Sequence, residues 1–556
     1  MKKIFQAISD SNTKQKFYEL LPYFIIVLII TLPWFFKFGY LFFMDMVWGP
    51  NMNIDFTSSL SPLFLIINGL GVILPFGFLE KMFVALIFFL ILLAGRKIAS
   101  NFTDNKWLVF ISSLFGLFNP FVYDRAMYGQ FGLLLAFGLL AYAVGYLIDF
   151  LISKKDNKII IAGIFIALSI MFSPHFLFFG GIFSILFFLL YLYLISSGHF
   201  KKEKILKLAG IFLALIVLIN AFWIIGLIVN SFDQTKAGNI EVTENDLYYF
   251  RTTGENQLDA LKNVVLMVGF WGENQNRYVD LKAVGGWWKS FCVILPIIIL
   301  GFFVGLKEKR KELRYLSYGL LIVFILSIIL ALGIRIEFLK KIMFAIFHYV
   351  PLYKVFREPQ KWVAMLVIIY QVFLTFGLTQ LAKFKIYKQN SGIIKVILGV
   401  LIIMQAPLML WGLGGQIKPA KYPADWLTAD KYITEHSDCQ SKTLILPWHM
   451  YLGFDFTKRV IANPTDVFFT CPVIRGTNME AGAIYDNSGD LTSKAIVEWI
   501  DDKGQSLILQ ENNLNIGYII LLKEVDWELY NFLGNVDYLS LEMETENLKL
   551  YKYNLE

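Results

Sequence analysis

Phe43–Phe56, FMDMVWGPNMNIDF, decides how the rest of the chain is read. It stands between two apolar runs and carries Asp45 and Asp55 with no Lys or Arg. Carboxylates held against a membrane are costly, so they are candidates for function. Their role depends on which side of the membrane this loop faces and on what faces it.

Working outward, the flanking runs recur along the chain. Of the 556 residues 57% are hydrophobic and 17% charged, with mean hydropathy +0.59. A soluble domain averages about 45–50% apolar and about 25% charged residues. Repeated apolar runs of about 17–25 residues predict a polytopic α-helical membrane protein. About eleven spans are expected, at 18–36, 80–95, 107–122, 131–152, 159–174, 176–196, 206–229, 290–306, 315–334, 362–382 and 393–413. Residues 59–76 are interrupted by Pro62, Gly69, Gly71 and Pro75 and read as an interfacial or re-entrant piece. No small-residue cleavage site follows the first run, which predicts a retained first helix. The formal charge of +7 requires no nucleic acid, because most Lys and Arg sit in short loops between spans.

Those basic loops orient the chain. Alternate segments hold Lys2, Lys3, Lys14 and Lys16; Arg96, Lys97 and Lys106; Lys154, Lys155 and Lys158; Lys201, Lys202, Lys204 and Lys207; Lys307, Lys309, Arg310, Lys311 and Arg314; and Lys383, Lys385, Lys388 and Lys395. The first three intervening segments have only Lys37 with Lys81, then Arg125, then no basic residue but His175. The N-terminus is therefore expected in the cytoplasm, and the first loop 37–79, the loop 230–289 and the tail outside. Lys- and Ile-rich usage points to an AT-rich prokaryotic genome.

One outer segment, 335–361, is basic. Its PLYKVFREPQKW, Pro351–Trp362, puts Arg357 and Glu358 on a fixed bend before Pro359 and a span. It reads either as a surface helix touching headgroups or as an anion site. The loop 230–289 reads as a helical lid or cap. Residues 1–413 form the membrane module and 414–556 a small α/β domain. In that domain 424–436, 492–501 and 525–533 read as helices, and 443–447, 506–510, 517–522 and 548–553 as strands. Cys439 and Cys471 both lie there; whether they pair is left open.

The mixed polar residues gather on the expected outer side. Asp45 and Asp55 come first. Asp124, Arg125 and Gln130 follow in NPFVYDRAMYGQ, then His175 in the turn SPH, then Arg357, Glu358 and Lys361. Each has a plainer reading. Asp45 caps a helix or pairs with Lys37; Asp55 is an N-cap; Asp124 and Arg125 pair with each other or with neighbouring spans; His175 is an interfacial residue with a structural partner. Asn119-Pro120 reads as a helix stop. Trp448 and His449 reach toward a site or cover the domain base. No Walker A loop, HExxH, paired CxxC or GxSxG motif is present.

The acidic first outer loop, the cytoplasmic N-terminus, the span count and the outer domain together resemble the GT-C glycosyltransferases. NPFVYDRAMYGQFGLLL, FREPQKW and ILPWHMYLGFDFTKRVIANPTDVFF look like segments of bacterial and archaeal members, the arabinosyltransferase-like and YfhO-like group coming nearest. The resemblance implies transfer of a sugar from a polyprenyl-phosphate donor to a glycan, lipid or protein acceptor at the outer face of the plasma membrane. It matches Asp45 to the family's general base, with Asp55 second, although the usual acidic pair is not adjacent here. It matches Arg357, or Lys361, to the cation that holds the lipid phosphate; Glu358, Asp124, Arg125, Gln130 and His175 complete the expected substrate site. No cofactor is required, and a divalent metal is compatible with the pattern but not indicated by it. Two other classes remain: a lipid-linked glycan flippase, which needs a polar route to the cytoplasm, and a non-catalytic assembly factor.

Overall fold

The apolar runs become helices because only a helix satisfies its backbone hydrogen bonds within one segment in lipid. The computed structural model describes residues 11–52, 54, 58–196, 205–232, 243–350, 352–477, 480–481, 484–485 and 491–554. The chain divides into two units. The first comprises Met1–Phe36, Met82–Ala221 and Arg251–Gln416; the second comprises Lys37–Lys81, Phe222–Phe250 and Ile417–Glu556.

Among the described residues, eight helices are long and apolar enough to cross a membrane: Phe17–Phe35, Phe76–Ala99, Phe131–Ser153, Phe176–Ser196, Leu206–Gly226, Trp288–Leu306, Lys311–Arg335 and Pro359–Leu381. Two bent pairs bring the number to ten if each is one span: Lys106–Leu117 with Pro120–Met127, bent by 44°, and Ser391–Ile403 with Pro407–Gly414, bent by 79°. These eight to ten stand beside the expectation of about eleven. The run 159–174 forms Asp156–Phe172, a helix of 17 residues, about 26 Å long against a hydrocarbon core of about 30 Å. The interrupted run 59–76 forms the 11-residue helix Ser61–Gly71, too short to cross.

The bend at Asn119 has a local cause. Asn119 Nδ2 donates to the carbonyls of Phe115 and Gly116, each at 3.0 Å, and its Oδ1 accepts from Val122 N–H at 3.0 Å. One side chain thus closes the first helix and caps the second, and Pro120 occupies the first turn, where its missing N–H costs nothing. The expected helix stop is a break between two helices.

Pro359–Leu381 is the most enclosed span, 94% of it buried. It meets Trp288–Leu306 backbone to backbone: a Cβ on Gly301 would fall against the Phe373 carbonyl oxygen, and one on Gly377 against that of Ile297. Small residues permit this approach. Gln371 Nε2 also donates to the Ser112 carbonyl at 3.0 Å, and Thr375 Oγ1 lies 2.7 Å from Ser112 Oγ. The bend Tyr353–Arg357 and the turn Pro359–Trp362 lead into this helix, so its position sets where Glu358 and Lys361 stand. Before them, Lys340–Tyr349 forms a helix with Ile342 and Tyr349 exposed.

In the second unit the described strands are β1 (Lys442–Leu446), β2 (Tyr451–Phe454), β3 (Arg459–Ala462), β4 (Val473–Ile474), β5 (Glu480–Ala481), β6 (Ile484–Tyr485), β7 (Ile516–Leu522), β8 (Leu539–Glu544) and β9 (Leu548–Tyr553). A five-stranded sheet runs β4-β1-β7-β9-β8. β1 is parallel to β4 and β7, and β9 is antiparallel to β7 and β8. Side chains alternate across it. Leu444, Leu446, Ile519 and Leu521 pack with Ile496 and Trp499, while Ile445, Ile520 and Leu522 pack with Trp426 and Ile433. Apolar cover on both faces explains why β1 and β7 read as continuous apolar runs.

Three of the four expected strands form. The run 506–510 does not: Ile508–Glu511 is one helical turn with Leu509 buried. Asp502 Oδ1 and Oδ2 accept from Gln505 and Ser506 N–H at 3.1 and 3.0 Å, fixing a turn at its start, and a short apolar run does not by itself distinguish strand from buried helix. The helix expected at 525–533 is a 3-10 helix, Trp527–Asn535. Cys439 and Cys471 form a disulfide, with Cα atoms 5.0 Å apart.

The opening stretch belongs to this second unit. Tyr40 and Ala420 exchange backbone hydrogen bonds at 2.8 and 2.9 Å, Ala462 N–H donates to the Met44 carbonyl at 2.8 Å, and Asn51 N–H to that of Val467 at 2.9 Å. Tyr422 OH donates to the Trp48 carbonyl at 2.8 Å, and Phe42 is buried in the core around Trp426. The loop is a ribbon laid along the C-terminal domain.

Candidate functional site

In the first unit, residues drawn from three separated segments form one connected polar network. Arg125 lies in the helix Pro120–Met127 with no exposed surface. Its Nη1 donates to Glu358 Oε2 at 2.7 Å and Gln130 Oε1 at 2.8 Å, and its Nη2 to Gln360 Oε1 at 2.6 Å. The guanidinium lies 4.2 Å from the centroid of the Phe270 ring, a cation–π arrangement. Glu358 Oε1 in turn receives Lys361 Nζ at 3.0 Å. Lys361 Nζ is 3.0 Å from His175 Nε2, and Ser173 Oγ is 3.1 Å from His175 Nδ1.

Two cations thus share one carboxylate, leaving one positive charge in excess. Burial pushes the Glu358 carboxyl up, but Lys361 and Arg125 outweigh it and hold it well below the usual carboxylate range. Arg357, half-buried, ends the 3-10 turn Tyr353–Arg357 directly before Glu358. Lys361 is buried at the first turn of the central span.

Asp124 and Arg125 do not pair with each other. Asp124 Oδ1 accepts from Tyr278 OH at 3.0 Å, and its buried Oδ2 has no hydrogen-bond partner. Tyr278 ends the FWGENQNRY segment, which packs onto this helix. Tyr128 meets the rings of Phe270, Trp271 and Tyr278 with centroids 4.6, 5.3 and 5.8 Å apart. Glu273 holds the segment in shape, accepting from the N–H groups of Gly269 and Phe270 at 2.7 and 3.3 Å and from Lys282 Nζ at 2.6 Å. Burial pushes the Glu273 carboxyl up against the opposing pull of Lys282.

In the second unit, Asp45 is exposed and outside any helix, and its Oδ1 accepts from Tyr451 OH at 3.0 Å. Asp55 lies outside the described residues. Among the described residues no three His, Cys, Asp or Glu side chains gather in a way that could hold a metal ion.

The structure therefore brings Arg125, Gln130, His175, Glu358 and Lys361 into one network and gives Asp124 a different partner. Sequence reading passed over Gln360, although it stands inside PLYKVFREPQKW, and it passed over Tyr278 and Tyr451. Their partners lie 235, 154 and 406 positions away, so no local pattern marks them.

No protein-family model and no curated protein sequence matches the chain. Solved structures do. Arabinofuranosyltransferase AftD from Mycobacteria superposes with a TM-score of 0.61 at 12% identity, covering 97% of this chain and 40% of that one. The oligosaccharyltransferase of Archaeoglobus fulgidus, tethered to an acceptor peptide, superposes with a TM-score of 0.50 at 12% identity, covering 93% of this chain and 70% of that one. The chain spans about two-fifths of the length of AftD. Both neighbours are of the GT-C type. This polytopic membrane chain, with its C-terminal sheet domain, has the fold of the GT-C glycosyltransferases.

Proposed function

We propose that this chain is a membrane glycosyltransferase that moves a sugar from a polyprenyl-phosphate-linked donor to a glycan, lipid or protein acceptor on the extracytoplasmic face. The observation that carries the reading is the network itself. A fold matched along 97% of the chain joins Arg125, His175, Glu358 and Lys361, all singled out as candidates from separate segments. The Cys439–Cys471 bridge supports an oxidising compartment for the C-terminal domain, in agreement with the lysine-rich loops on the opposite side.

Each group has a role in this reading. Arg357 binds the donor phosphate, in the bidentate manner that suits a guanidinium. Lys361 and Arg125, held by Glu358, add positive potential that stabilises the charge developing on the departing lipid phosphate. Asp45 accepts the proton of the acceptor hydroxyl as the new C–O bond forms at the anomeric carbon and the bond to phosphate breaks. Tyr451 holds the Asp45 carboxylate in one orientation. Asp124, Gln130 and His175 shape the site. No metal is required in this scheme.

Incubation of the purified protein with radiolabelled polyprenyl-phosphate sugars and candidate acceptors tests the reading. Asp45→Asn lowers transfer by about 10²–10⁴-fold and leaves donor binding intact. Arg357→Ala weakens donor binding. Full activity of Asp45→Asn removes it as the base, and sugar movement across vesicles without transfer replaces the enzyme by a carrier.

A further inference from the structure

The C-terminal domain contains a second constellation, at the carboxyl edge of its parallel strands. The chain leaving β1 runs toward β4, and the chain leaving β7 runs the opposite way, toward β8. In open sheets a crevice for a ligand forms where connections from adjacent parallel strands diverge. Here that point is bracketed by Pro447–Met450 and Lys523–Trp527.

The residues at this point are polar and matched. His449 Nε2 lies 3.0 Å from Asp526 Oδ2, joining the exit of β1 to that of β7. Arg475, just past β4, donates to Asp466 Oδ2 at 2.7 Å. The exit of β4 lies tight against that of β1, since a Cβ on Gly476 would be 2.6 Å from His449 N. Glu524 Oε2 accepts from Asp455 N–H at 3.2 Å. Two buried polar atoms in these turns have no hydrogen-bond partner: Asp526 Oδ1 and Trp448 Nε1. Buried polar groups are ordinarily satisfied, so orphans in one place point to a ligand or ordered water. Val460 and Val525 expose apolar surface next to Gly453, where a Cβ would lie 4.0 and 3.5 Å from their methyl groups.

We propose that this crevice binds the hydroxyl groups of a neutral acceptor saccharide, with His449, Asp526 and Arg475 as its hydrogen-bonding groups. The proposal rests on the glycosyltransferase reading and names the acceptor class. Carboxylates match or outnumber cations here, which disfavours a phosphate. Interleaved donors and acceptors suit vicinal hydroxyls, and Val460 with Val525 suits the C–H face of a sugar ring. The crevice is also tied to the proposed base, because Tyr451, which holds Asp45, follows His449 by two residues.

The test uses the full-length protein in detergent on an array of neutral oligosaccharides, with a basic peptide alongside. Wild type binds at least one oligosaccharide, and His449→Gln and Asp526→Asn bind it about tenfold more weakly. Glu435→Gln, on an exposed helix face, binds as wild type. No oligosaccharide bound, equal binding by the two crevice variants, or preference for the peptide overturns the proposal. Donor hydrolysis by water, measured without acceptor, separates this from the wider reading. Hydrolysis unchanged in His449→Gln with no saccharide bound leaves a glycosyltransferase whose acceptor site lies elsewhere. Loss of hydrolysis in wild type removes the wider reading first.

Discussion

The Arg125 guanidinium donates to Glu358 Oε2 at 2.7 Å across 233 residues of sequence, and both side chains are buried. Removing one member of a buried pair strands the other without solvent. Arg125→Ala is expected to destabilise the protein by about 3–5 kcal/mol and to lower activity. Thermal unfolding in detergent measures this, and a melting temperature unchanged in Arg125→Ala would falsify the account of the network.

The same pair predicts a pH dependence. The folded-state value of the Glu358 carboxyl lies below its unfolded value. Such a group stabilises the fold above the unfolded value, about 4.3, and loses that contribution as pH falls toward the folded value. Between pH 5 and pH 3 the wild-type melting temperature should drop more than that of Glu358→Gln. Parallel curves for the two proteins would show that the carboxylate does not contribute in this way.

Glu524 predicts the opposite slope. Burial pushes its carboxyl up to about 7, with Asp455 N–H pulling the other way. A carboxyl raised above its unfolded value favours folding when protonated, and that contribution is lost as pH rises from about 4.3 to about 7. Glu524→Gln should match wild type near pH 4 and melt higher at pH 8. Coincident melting at pH 8 would contradict it.

Gly49 is required by space. A Cβ there would lie 2.2 Å from the Val467 carbonyl oxygen, which also accepts from Asn51 N–H. Gly49→Ala should cost about 1–3 kcal/mol and make the loop more sensitive to limited proteolysis. Wild-type resistance would mean that the ribbon does not lie where the structure puts it.

The Cys439–Cys471 bridge closes a loop between positions 32 apart. Replacing both by Ser should lower stability by about 2–4 kcal/mol. Mass shifts after alkylation, with and without reductant, report whether the bridge is formed in cells. Two free thiols in the untreated protein would place the domain in a reducing compartment.

Much of this chain is legible locally. The apolar runs locate the spans within a few residues, because a lipid-facing helix must satisfy its own backbone. GYIILL and LKLYKY form strands, and ADWLTADKYITEH a helix, because period and burial agree. The failures are equally physical. SLILQ is too short for its period to distinguish strand from turn. Asn119-Pro120 is legible as a stop, but not as the start of a second helix, because the Asn119 side chain that closes one helix and caps the next leaves the apolar composition unchanged.

The sequence by itself determined that this is a multi-pass membrane chain with a small α/β domain after the last span, and it marked the residues whose charge demands a partner. Only the tertiary structure decided the partners. Arg125 takes Glu358 and not Asp124, Asp124 takes Tyr278, and Met44 and Asn51 are hydrogen-bonded to Ala462 and Val467 of the C-terminal domain. Periodicity and composition act over a few turns of helix, whereas these pairings join positions 154 or more residues apart. Which distant groups meet is set by how the elements pack, and local sequence holds no record of it.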